Sequence, residues 1–104
     1  MKFELNKEYT EHLEMEEQEK IPSLFQIFLH NDDFTPKEFV IEMLEKLFFM
    51  DRVNAASVMM EAHLKGMAVC GEFAKDFAEA KVAQVVDYAR SSEHPLICTM
   101  EVAV

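Results

Sequence analysis

Between Leu24 and Val102 the spacing of apolar residues alternates between a strand period and a helix period. Leu24 to Leu29 is an almost continuous apolar run with one polar interruption at Gln26, which predicts a strand buried on at least one face. From Pro36 onward, Phe39, Val40, Met43, Leu44, Leu47 and Phe48 recur at three- and four-residue steps, the stripe of an amphipathic helix about fourteen residues long. Asp51 can cap a second helix that carries Ala55, Ala56, Met59, Ala62 and His63 and stops at Gly66. Met67 to Phe73 reads as a short strand interrupted by Gly71, where a bulge or a close backbone approach is expected. A third helix runs from Lys75 to Arg90 on Ala78, Val82, Val85, Val86 and Ala89, and Leu96 to Val102 forms the last strand. The order β-α-α-β-α-β predicts an α+β fold with three helices packed on one face of a three-stranded antiparallel sheet. Residues 1–22, rich in glutamate and without a stripe wide enough to bury, read as a flexible acidic N-terminal extension to a single domain over 23–104.

The first strand-to-helix junction, His30-Asn31-Asp32-Asp33-Phe34-Thr35-Pro36, concentrates polarity between two apolar elements. Thr35 is a good N-cap, Pro36 suits the first helical position, and Glu38 lies three residues after Thr35, so a capping box is expected. A junction held in that way presents Asn31, Asp32 and Asp33 as acceptors in a preset direction, which suits recognition of a cationic group.

Charge sharpens that reading. The 104 residues carry a formal net charge of -10, which disfavours a nucleic-acid surface and favours basic or amine-bearing partners. The N-terminus has neither the basic nor the apolar region of a secretory signal, and no apolar stretch approaches about 20 residues. A soluble, cytoplasmic monomer with no membrane contact is expected. Cys70 and Cys98 lack both metal-ligand spacing and a C-x-x-C pattern, so they read as small buried hydrophobes. Asp32 and Asp33 with His30 or His63 could hold a divalent cation, but no known metal spacing accompanies them, and no cofactor is expected. A thiol catalyst built from Cys70, His63 and Asp32 is a weaker alternative, since nothing arranges an oxyanion hole and Cys70 lies in a core strand pattern.

The string Asn31 to Pro36, then Glu38-Phe39-Val40, His63-x-x-Gly66, Cys70-Gly71 and Glu93-His94-Pro95-Leu96, resembles the ClpS family of Clp protease adaptors in order and spacing over most of the chain. The resemblance implies a non-enzymatic adaptor that binds proteins beginning with Phe, Leu, Tyr or Trp and delivers them to a ClpA-type AAA+ unfoldase through its N-terminal domain. Matched motif by motif, Asn31, Asp32 and His63 would bind the free α-amino group. Thr35, Lys37, Val40, Met59, Ala62 and Leu96 would surround the side-chain pocket, and Asp76 and Lys81 on the third helix would contact the unfoldase. The acidic extension would couple delivery to degradation. Two residues depart from the family pattern. Lys37 stands where a rim methionine is usual and Ala62 where valine is, so weaker exclusion of Ile and Val is expected. The same fold order occurs in the C-terminal domain of the bacterial ribosomal stalk protein, and a scaffold that binds translation factors is the alternative function. The Asn31-Asp32-Asp33 junction with His63 discriminates against it.

Overall fold

The computed structural model describes residues 23–103; the acidic extension, residues 1–22, lies outside them. The elements are β1 (Leu24–His30), α1 (Lys37–Leu47), α2 (Arg52–Lys65), β2 (Met67–Ala74), α3 (Lys75–Ser91) and β3 (Ile97–Val102). The sheet is antiparallel with strand order β2-β1-β3, so the most apolar strand is the central one. Its position explains the continuous run: Ile27 and Leu29 lie buried in the core that the helices cover, while Phe28 points to the opposite face and is still only 9% exposed.

The irregularity expected near Gly71 has two parts. Ile27 faces Gly71 but Phe28 faces Val69, so Cys70 is the extra residue of a bulge in β2. Gly71 itself lies under the Phe73 ring, and a Cβ there would come within 2.8 Å of two ring carbons. Ala68 and Cys70 are buried by ordinary alternation, and the bulge shifts the phase after them so that Phe73, opposite Phe25, also packs against the core.

Ile27, Leu29, Met43, Leu44 and Val85 form the fully buried centre, joined by Ala55, Ala78 and Ala89 where small side chains let helix backbones approach. Helix α2 is the least amphipathic of the three. It buries only Ala55, Met59 and Ala62, while Val53 and Leu64 are exposed. As expected, Asp51 caps it, accepting from the Asn54 N–H at 2.8 Å, and Gly66 closes it with φ of 97°, in the left-handed region that favours glycine.

Helix α1 is shorter than its apolar stripe, with eleven residues, because Phe49 adopts φ of 57° and turns the chain after Phe48. The carbonyl of Leu47, left without an intrahelical donor, accepts from Lys81 Nζ at 2.7 Å. Lys81 is therefore not on a solvated helix face. It is 8% exposed, its ammonium also donates to Gln84 Oε1 at 3.0 Å, and the rings of Phe48, Phe49 and Phe77 lie 5.4 to 5.7 Å from its nitrogen.

Candidate functional site

At the end of β1 the Asn31 N–H donates to the carbonyl of Gly66 at 2.9 Å, while the Gly66 N–H donates to Ala62 at 2.8 Å. The C-terminal turn of α2 is thereby fastened beside the strand end, bringing Ala62 and His63 next to Asn31, more than thirty residues away in sequence.

The next turn is built differently from the capping box that the residue types suggested. Helix α1 starts at Lys37, with Pro36 as N-cap and no side-chain capping bond. Thr35 instead donates its hydroxyl to Asp32, and Glu38 turns away to hold Arg52 with both carboxylate oxygens at 2.7 Å. Asp32 is the organiser. Its Oδ1 accepts from the Phe34 N–H and the Thr35 N–H, each at 2.8 Å, and from the Thr35 hydroxyl at 3.0 Å. Its Oδ2 accepts from that same hydroxyl alone, at 2.8 Å. A carboxylate oxygen has two lone-pair directions, so the turn fixes the carboxylate in place and leaves acceptor capacity on Oδ2 for another donor.

Beneath the turn lies a cavity of about 150 Å³. Leu29 from β1, Val40 from α1, Met59 and Ala62 from α2 and Leu96 before β3 are buried residues of its wall. Met59, Ala62 and His63 share one face of α2 by their three- and four-residue spacing. The polar residues of the wall are His30, Asn31, Asp32, Asp33, Thr35, Lys37 and His63, all of them exposed or half-buried. An apolar cavity of about this volume accommodates a benzene ring. The site thus combines a floor for a bulky apolar group with acceptors for a cation at its entrance.

Each of the nine residues that the resemblance implied for amine and side-chain recognition lines this one cavity. Three further residues line it. Asp33 and His30 belong to the polar junction already singled out; Leu29 ends the apolar run of β1, and only its place just before that junction pointed to it. The His30 ring is fixed by a hydrogen bond between Nε2 and Thr99 Oγ1 at 2.7 Å. Asp76 is exposed in the first turn of α3, whereas Lys81 is buried as described above.

The cysteines take no part in this site. Cys70 and Cys98 are buried and free, and neither lines the cavity. Burial pushes the Cys98 thiol up to about 12 and the Cys70 thiol further still, Cys70 being raised also by its proximity to Cys98. At neutral pH neither forms the thiolate that a nucleophile needs. Among the described residues no three His, Cys, Asp or Glu side chains are grouped as a metal site requires, and no helix is long and apolar enough to cross a membrane.

A protein-family model described as "ATP-dependent Clp protease adaptor protein ClpS" matches residues 20–99. The chain is 54% identical over 84 residues to an "ATP-dependent Clp protease adapter protein ClpS" of Vibrio cholerae, covering 81% of this chain and 79% of that one. It is 51% identical over 86 residues to the protein of the same name from Alkalilimnicola ehrlichii, covering 83% and 81%. Among solved structures, Agrobacterium tumefaciens ClpS2 bound to L-phenylalaninamide superposes with a TM-score of 0.78 at 37% identity, covering 80% of this chain and all of that one.

Proposed function

The chain belongs to the ClpS family, the adaptors of the ATP-dependent Clp protease, and from that membership we propose how it reads its clients. It is an N-end rule adaptor: it binds proteins with bulky hydrophobic first residues and passes them to the Clp protease. The stalk-type scaffold alternative falls away with the family match. We propose that Asn31, Asp32 and His63 hold the free α-amino group, and that Thr35, Lys37, Val40, Met59, Ala62 and Leu96 surround the first side chain. The observation that carries this reading is one cavity with an apolar floor and, at its entrance, a carboxylate oriented by three donors, two backbone N–H groups and the Thr35 hydroxyl. L-Phenylalaninamide, the ligand of the Agrobacterium tumefaciens relative, has the chemistry of such a terminus: a free α-amine, an aromatic side chain and an amide in place of the carboxylate. The adaptor carries out no chemistry on its client; the role is binding and transfer, by a cytoplasmic monomer.

The test compares a Phe-starting peptide with its N-acetylated twin by fluorescence anisotropy. Acetylation removes the positive charge and two donors, so affinity should fall at least roughly tenfold, as expected for losing charge-assisted hydrogen bonds of about 1.5–3 kcal/mol. Equal affinities would refute amine recognition. The same panel with Ile or Val first examines the rim. The flexible, water-seeking Lys37 forms a softer gate than methionine, and Ala62 leaves the wall two methyl groups short of valine. Ile and Val should be rejected less sharply by the parent than by Lys37→Met, and identical rejection by both would remove Lys37 from the gate.

For the partner, the proposal is the N-terminal domain of a ClpA-type unfoldase, engaged through the exposed Asp76 face of α3, with residues 1–22 serving delivery. Removing residues 1–22 should leave peptide affinity within about twofold, or roughly 0.4 kcal/mol, while degradation of a tethered client by the unfoldase and protease falls sharply. Full degradation by the truncated chain would overturn that assignment.

A further inference from the structure

We infer that Lys37 is a reader of the client's second residue and favours an acidic side chain there; this rests on the reading of the cavity as the site for the first residue. Of the twelve residues lining the cavity, Lys37 is the only one with a permanent positive charge, and it is exposed. Among the described residues no carboxylate pairs with its ammonium, although two lie in the same wall. Asp32 is turned toward the Phe34 and Thr35 donors, and the adjacent Glu38 is engaged by Arg52 at 2.7 Å. The lysine therefore borders the entrance as a cation that no carboxylate among the described residues pairs, in a rim that also carries Asp32 and Asp33.

Peptide geometry brings the second residue to that rim. With the α-amine at Asn31, Asp32 and His63 and the first side chain in the floor, the second Cα follows about 3.8 Å after the first. Its side chain must leave the site across the entrance, since the floor is enclosed by buried Leu29, Val40, Met59, Ala62 and Leu96. A Glu or Asp there meets Asp32 and Asp33 unless a cation intervenes, and Lys37 is placed to be that cation. Its four-carbon stem lets the ammonium follow either rotamer of the client side chain while covering apolar surface at the lip.

The size of the effect is that of an exposed ion pair, which changes an equilibrium by no more than about fivefold. The net charge of -10 attracts basic peptides in general, so the informative quantity is how the ratio of Phe-Glu to Phe-Lys affinities changes between variants. Two otherwise identical peptides are titrated at low and high salt against the parent, Lys37→Arg, Lys37→Met and Lys37→Glu. Lys75→Glu is the control for overall charge. Leu24 pairs with Ala74 and His30 with Met67, so Lys75 lies at the other end of the sheet, about 20 Å away by the strand rise. That distance exceeds the roughly 8 Å screening length at physiological salt.

Relative to the parent, the ratio should be kept in Lys37→Arg, fall about threefold in Lys37→Met and about tenfold in Lys37→Glu, and stay put in Lys75→Glu, with all differences shrinking at high salt. An unchanged ratio in Lys37→Glu, or an equal fall in Lys75→Glu, would overturn the assignment while leaving first-residue recognition standing. Failure of the parent to distinguish Phe-starting peptides from their N-acetylated twins would overturn both.

Discussion

Asp32→Ala should weaken binding of a Phe-starting peptide by at least about 2 kcal/mol, roughly thirtyfold, the lower end of the range for truncating one partner of a hydrogen-bonded charge pair. The lower end applies because Asp32 is half-buried, and water screens part of the interaction. Alanine also removes the acceptor for the Phe34 and Thr35 N–H groups and the Thr35 hydroxyl, so it frees the turn as well as deleting the charge. Asp32→Asn separates the two effects. Its side-chain carbonyl can still accept the two backbone N–H bonds that Oδ1 accepts now, while the other position becomes an NH₂ that faces the ammonium with donors. Affinity should therefore fall in Asp32→Asn as well, with the melting temperature close to that of the parent. If anisotropy shows parent-like binding in Asp32→Asn, the carboxylate charge has no part in amine recognition and Asp32 is only a turn former.

Lys81→Ala should lower the stability of the domain by about 1–3 kcal/mol, the cost of leaving a buried polar partner without its hydrogen bond. The partner is the Leu47 carbonyl at the C-terminal end of α1, where Lys81 Nζ is the donor at 2.7 Å. The loss also takes the lysine stem out of the space between Phe48, Phe49 and Phe77. For a domain of this size each kcal/mol moves the melting temperature by roughly 4–8 °C, which thermal unfolding resolves. Asp76→Ala, at an exposed position in the first turn of α3, should shift it far less. The comparison bears on delivery. A weaker unfoldase interaction in Lys81→Ala, accompanied by a lower melting temperature, would trace to the loosened end of α1 rather than to a lost ion pair across an interface. Unchanged melting with lost unfoldase binding would restore Lys81 as a direct contact.

The element order was legible because the chain's periodicity is strong where packing demands it. Ile27 and Leu29 line one face of a strand, Phe39 to Leu47 line one stripe of a helix, and Gly66 stands where a left-handed residue is needed. The nine residues named by resemblance line one cavity, and Asn31-Asp32-Asp33 and His63-x-x-Gly66 are short patterns tied to local geometry. Three features were beyond one-dimensional reading. Thr35 and Glu38 have the residue types of a capping box, yet Asp32, three residues before Thr35, takes its hydroxyl, and Arg52, brought near by folding, takes the Glu38 carboxylate. Lys81 has the composition of a solvated helix face, yet a carbonyl thirty-four residues earlier in the chain takes its ammonium. Leu29 looks like any core residue, and only the helix fastened to Asn31 through Gly66 leaves the space beside it open as a cavity wall. Periodicity and capping preferences are local and survive in the sequence. Hydrogen-bond partners and empty volume depend on which distant groups arrive at the same place, and that is a property of the packed chain alone.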